Sequence, residues 1–207
     1  MWCASGIVGA IAPVALVDLG DTLCECTPAL RESLARLRQS GESEGDLALN
    51  PLPPYLESRR RQVMHAPGFW RALAPRALGF ELLDLLRDAG FRVCVLTKGP
   101  FDAPQVWAEK VDWCRAYLSD VPVIVTDDKA CVGGHVLVDD WLPYVERWQR
   151  QWPTGLALVP AQPWNLHTAC GPLRIRDDGR CREAIKVALR AVREGRPSLE
   201  SNPRSLT

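Results

Sequence analysis

The 207-residue chain has no net charge: Lys and Arg number 25, and so do Asp and Glu. Without a basic excess there is no electrostatic case for a general nucleic-acid binder, although a local basic patch stays open. No apolar run reaches the roughly 18 residues that a membrane span requires. Gly6 to Val17 is apolar but too short, and nothing basic precedes it, so it reads poorly as a signal peptide. A Cys-x-x-Cys pair is missing too, although there are eight cysteines. Cys24-x-Cys26 has no second pair at zinc-finger spacing. The even count invites a disulfide framework. Chain length, the poor signal and the apolar surroundings of Cys94 point instead to reduced, mostly buried thiols. Internal repeats and low-complexity blocks are also lacking.

What is present is an ordinary globular composition, 47% hydrophobic and 24% charged. The length suits one domain of about 150 residues plus an insertion or tail. Short apolar runs alternate with helical periodicity. Strands are expected at Pro13–Val17, Phe91–Thr97, Val121–Val125, Val136–Val138 and Gly155–Val159. Helices are expected at Thr27–Gln39, Tyr55–Met64, Ala77–Ala89, Pro104–Leu118, Leu142–Gln151 and Arg180–Arg193. Pro67–Trp70 reads as a turn leading into another amphipathic stretch. Continuous apolar strands alternating with helices predict an α/β fold, a parallel sheet covered on both faces.

Ligands of such sheets bind beyond the carboxyl ends of the strands. The residues there are Asp18, Thr97, the Asp127-Asp128-Lys129 run, Asp139-Asp140 and Pro160 to Asn165. Each alone has an ordinary explanation. A strand-end Asp or Thr commonly caps a helix or makes a turn, and a lone Lys is commonly solvated. Their joint placement after successive strands is what points to one shared site. Carboxylates gathered at one point repel unless a cation sits between them. Oxygen donors without histidine or thiol suit Mg²⁺. A lysine and a threonine beside that cation suit a phosphate, so the chemistry indicated is phosphoryl transfer.

The ordered segments Val14-Ala-Leu-Val-Asp-Leu-Gly-Asp-Thr-Leu23, Pro67-Gly-Phe-Trp70, Val93-Cys-Val-Leu-Thr97, Ala108-Glu-Lys110, Val125-Thr-Asp-Asp-Lys129 and Val136-Leu-Val-Asp-Asp140 carry a resemblance. Together they resemble the haloacid dehalogenase superfamily of aspartate-nucleophile phosphatases, and within it the type C 5'(3')-deoxyribonucleotidases. The likeness covers roughly residues 13 to 165.

That resemblance implies a Rossmann-like three-layer core over residues 13–23 and 76–194, with a small helical cap at 24–75 and a polar tail at 195–207. It implies a Mg²⁺-dependent phosphomonoester hydrolase acting on nucleoside monophosphates, a small-molecule partner, a cytoplasmic location and a homodimer among the assemblies. Asp18 would be the nucleophile. The Gly20 carbonyl, Asp18, Asp139 and Asp140 would hold Mg²⁺. Thr97 would bind the phosphate, Lys129 would neutralise charge, and Lys110 would lie near the pocket. Phe69, Trp70 and Tyr55 are candidates to stack on a base or to fill the cap core.

Two positions depart from the family pattern. The second Asp of its first motif, the general acid and base, is Gly20 here. Asp21 beside it is the candidate substitute. Lys98 stands where those relatives carry a small residue, and it either faces the phosphate or points outward. The missing acid leaves alternatives open: a weak or inactive relative that binds nucleotide as a regulator or partner, or a different phosphotransfer reaction.

From Gly171 onward there are nine Lys/Arg against five Asp/Glu. A solvated helix face is the ordinary explanation, and contact with nucleic acid or an acidic partner is the alternative. Trp107, Trp113, Trp141 and Trp148 fall on expected helices and suit packing better than base stacking.

Overall fold

A computed structural model describes residues 12–43, 45–46, 52–166 and 173–195. Six strands form one parallel sheet in the order β3-β2-β1-β4-β5-β6. They are β1 (Val14–Val17), β2 (Arg92–Lys98), β3 (Val123–Thr126), β4 (Val136–Val138), β5 (Leu156–Pro160) and β6 (Leu173–Ile175). The helices are α1 (Cys26–Arg36), α2 (Pro54–His65), α3 (Ala77–Asp88), α4 (Pro104–Tyr117), α5 (Leu142–Gln151) and α6 (Arg182–Arg193). The expected α/β architecture is therefore present, with one strand more than the sequence suggested. No helix turns up after Pro67–Trp70; residues 71–76 run through turns into an isolated bridge between Cys24 and Pro75.

Side chains of alternate strand residues enter opposite layers. Ala15 and Val17 of β1 join a core with Leu82 and Leu86 of α3, Trp113 of α4 and Leu189 of α6. Leu16, between them, joins Val145 and Trp148 of α5 on the other face. Both faces are covered, which is why the central strands carry uninterrupted apolar sequence.

The pair α1 and α2 stands on its own small cluster of Leu30, Leu34 and Val63, with Phe69 and Met64 against it. It is inserted between β1 and α3. One close approach ties the insertion back to the core. A Cβ on Gly79 of α3 would lie 2.2 Å from the Thr22 carbonyl oxygen. Glycine lets α3 lie directly against the turn that follows β1.

Among the described residues the cysteines are all free thiols: Cys24, Cys26, Cys94 and Cys114 are buried, Cys131 is exposed and Cys181 is half-buried. Cys3, Cys170, residues 1–11 and residues 196–207 of the expected tail lie outside the described residues. Within those described, no helix is long and apolar enough to cross a membrane.

Candidate active site

Register builds the site. Val17 pairs with Val138, and the Asp18 N–H donates to the Val138 carbonyl at 2.8 Å. Asp18 thus emerges beside Asp139 at the carboxyl edge of the two central strands. Thr97 comes from β2 on the other side of β1. Lys129 comes from a short 3₁₀ turn (Lys129–Cys131) after β3, opened by Asp128, whose side chain accepts from the Ala130 N–H. Lys129 Nζ lies 2.5 Å from Asp18 Oδ1 and 2.6 Å from Asp139 Oδ2. One ammonium therefore bridges carboxylates from two strands.

Asp18, Asp139 and Asp140 each place an oxygen within 4.8 Å of the others, and all three are buried. Three carboxylates against one lysine leave two uncompensated negative charges. Burial pushes the Asp139 carboxyl up to about 6, with Lys129 opposing and Asp18 reinforcing the rise. Asp140 is pushed well above the usual carboxylate range by burial and by Asp139 and Asp18. Burial by itself would lower the Lys129 ammonium, but Asp139 and Asp18 more than reverse that and hold it above the usual lysine range. A buried, all-oxygen donor set with two charges unbalanced fits a hard divalent cation such as Mg²⁺.

Neighbours fix these carboxylates. Asp140 accepts from the Thr22 hydroxyl at 3.2 Å and from the Trp164 indole at 3.1 Å. The buried Asn165 amide donates to the Asp140 and Pro160 carbonyls, both at 2.9 Å. The Trp141 N–H donates to Asp139 Oδ1 at 2.9 Å.

The Gly20-Asp21 turn takes an unexpected form. The left-handed backbone falls on Asp21, with φ of 54°, and not on the glycine. Asp tolerates this region better than most residues. Its carboxylate is turned toward α1, where it accepts from the Thr27 N–H at 2.7 Å and hydroxyl at 2.8 Å. Burial raises the Asp21 carboxyl, and the two Thr27 bonds oppose the rise. Asp21 therefore lines the site while both its oxygens hold the start of the insertion.

Lys110 of α4 is buried and has no carboxylate partner among the described residues. Its Nζ donates to the Lys98 carbonyl at 2.6 Å and to Thr97 Oγ1 at 3.1 Å, and it sits 3.8 Å from the Trp70 ring centroid. Burial lowers it to about 8; Asp18 only partly offsets this, and Lys129 adds to it. Glu109, the preceding residue, accepts from the Gly68 and Trp70 N–H groups at 2.5 and 3.2 Å. Adjacent residues of α4 thus hold Trp70 by backbone and by ring.

A cavity of about 700 Å³ opens over these groups, between the strand edge and the α1–α2 pair. Asp18, Gly20, Asp21, Trp70, Lys98, Lys110, Lys129 and Asp140 line it. Thr97 and Asp139 lie just beneath, completely buried. Of the residues expected at the site, Phe69 and Tyr55 stand outside the lining. Phe69 packs edge-on to Trp70 and into the α1–α2 cluster. The Tyr55 hydroxyl donates to Asp46 at 2.7 Å. Trp164 lies in the expected Pro160–Asn165 segment; Trp141 and Tyr144 of the core side, and Arg31 and Arg60 of the insertion, line the cavity without having been expected there. Trp141 was assigned to packing because it falls at a helix start; it is 41% exposed. Its place directly after Asp139-Asp140 was the available clue.

The fold and this strand-edge cluster together define a haloacid dehalogenase-like hydrolase. Solved structures carry the same fold. A family hydrolase from Deinococcus radiodurans R1, with bound phosphate and sodium, matches at a TM-score of 0.50 and 13% identity, over 89% of this chain and 97% of its own. A dehalogenase structure matches at 0.50 and 12% identity, over 83% and 95%. No curated protein matches in sequence. The profile of the family described as "5' nucleotidase, deoxy (Pyrimidine), cytosolic type C protein" matches residues 12–188, and the chain belongs to that family.

Proposed function

We propose that this chain is a Mg²⁺-dependent phosphomonoester hydrolase of nucleoside monophosphates. The carrying observation is the bridge from Lys129 to Asp18 and Asp139 at the floor of the cavity, 2.5 and 2.6 Å long. Asp18 attacks phosphorus, the ester P–O bond breaks, the nucleoside leaves with its ester oxygen protonated by water, and the phosphoryl group rests on the Asp18 carboxylate. Water then cleaves that bond and releases phosphate. Lys110 donates to Thr97 Oγ1, which leaves the Thr97 hydroxyl proton free for a phosphate oxygen. Lys129 holds the Asp18 carboxylate in place by donating to Oδ1.

Mg²⁺ would be held by Asp18, Asp139, Asp140 and the Gly20 carbonyl, and would supply charge neutralisation for the phosphoryl oxygens. The residues 24–75 act as a cap whose Trp70 and apolar α1 face admit the nucleoside. A cytosolic location and a homodimer belong to the same reading, as the family description and the resemblance suggest.

Gly20 favours a second reading, a slow enzyme or a binder that retains the phosphate. No carboxylate stands at the acid position, and Asp21 is engaged by Thr27. Phosphate release from a panel of nucleoside monophosphates with Mg²⁺ separates the two. Turnover that vanishes in Asp18→Asn supports hydrolysis. Metal-dependent nucleotide binding without turnover supports the second reading. Neither turnover nor binding overturns both.

A further inference from the structure

Not every cation that lines the cavity is taken up by the reaction centre. Four acids line it, and each is engaged: Asp18 by Lys129, Asp21 by Thr27, Glu57 by Arg60 at 2.6 Å, and Asp140 by Thr22 and Trp164. Lys129 and Arg60 are thereby neutralised, and Lys110 is held by Thr97, the Lys98 carbonyl and Trp70.

Two lining cations are left over. Lys98 ends β2, directly after the phosphate-binding Thr97. Its Nζ lies 5.1 Å from the Tyr144 ring centroid, and no carboxylate pairs with it among the described residues. Arg31 of α1 lines the same cavity from the insertion, and its side chain also has no ion-pair partner among the described residues. Lys129 Nζ lies 5.2 Å from the same Tyr144 ring, but Lys129 is held by Asp18 and Asp139, whereas Lys98 has no such partner. The reacting phosphate already has Thr97, Lys129 and a cation site.

We infer that Lys98 and Arg31 form a second anion subsite, and that the substrate is a phosphomonoester carrying another anionic group, such as a nucleoside bisphosphate. This rests on the phosphomonoesterase part of the hydrolase reading above and replaces its nucleoside monophosphate with an ester that carries a second anionic group. One wall of the subsite belongs to the core and the other to the insertion. A bisphosphate would therefore draw the two together, whereas a monophosphate would engage one wall only.

The test compares thymidine 5'-monophosphate with thymidine 3',5'-bisphosphate in the full chain with Mg²⁺. The wild type should prefer the bisphosphate by about tenfold in kcat/KM, the size of one charge-assisted hydrogen bond. Lys98→Met, and separately Arg31→Ala, should bring that ratio toward one. Both positions are exposed, so neither change threatens folding. Titration calorimetry of both probes gives the same ratio without turnover.

A wild-type ratio near one, or a ratio unmoved in both variants, overturns the subsite while leaving the hydrolase reading intact. Failure of the wild type to bind or cleave either probe overturns both.

Discussion

The ammonium of Lys110 lies 3.8 Å from the centre of the Trp70 ring, buried, with no carboxylate paired to it among the described residues. A desolvated cation over an indole gains about 2 kcal/mol. That is less than the burial cost implied by its fall from 10.5 to about 8, about 3 kcal/mol. The fold thus carries a group held at a cost beside Thr97.

Lys110→Met should therefore be more stable than the wild type near neutral pH, by about 1–3 kcal/mol. It should also lose turnover, because Thr97 loses its donor. The gain should depend on pH. Below about 8 both folded and unfolded chains carry the proton, and the penalty is complete. Between about 8 and 10.5 the folded lysine has released its proton while the unfolded one retains it. Stability of the wild type relative to the variant therefore rises across that window. Urea unfolding at pH 7 and pH 10 reads the difference; an equal gap at both sinks the assignment.

Gly20→Asp restores a carboxylate where the resemblance places the acid. A Cβ there would sit 3.6 Å from the edge of Trp70, an ordinary contact. General acid and base catalysis is worth about 10²–10⁴-fold. We expect a rise of that order in steady-state phosphate release, and shorter-lived phosphoryl-enzyme in acid-quench trapping. An unchanged rate would show that proton transfer is supplied elsewhere.

Lys129→Met leaves Asp18 and Asp139 without their shared cation, beside Asp140. Removing one partner of a buried ion pair costs about 3–5 kcal/mol. Denaturant midpoints should fall accordingly in metal-free buffer. Added Mg²⁺ should recover more stability in this variant than in the wild type, since the carboxylates then lack their other counter-charge.

Gly79→Ala adds a methyl group 2.2 Å from the Thr22 carbonyl oxygen and 2.9 Å from Leu23 Cα. Backbone cannot yield as a side-chain tip can, so α3 or the turn must move. A loss of about 2–3 kcal/mol is expected. Turnover should fall as well, because Thr22 also donates to Asp140. Thermal unfolding and a rate assay check both.

The sheet was legible in the sequence because its strands are buried on both faces, and such burial writes itself as unbroken apolar runs. Asp18, Thr97, Lys129 and Asp139-Asp140 were legible for a related reason: they follow those runs directly. β6 was not, since Leu173-Arg-Ile175 is a short, half-buried edge strand whose apolar run is broken by an arginine.

The directions of individual side chains depended on contacts between distant segments. Asp21 neighbours the acid position in sequence, yet Thr27 holds its carboxylate. Phe69 and Trp70 are adjacent, yet only Trp70 lines the cavity. Neutral net charge was fully determined by composition, but its distribution was not. Chain pairing decided that Asp18 and Asp139 would share one lysine while Lys98 and Arg31 would line the same cavity with no ion-pair partner among the described residues. Local sequence sets which residues end a strand; the packing of α1 and α4 against that edge sets where their charges meet.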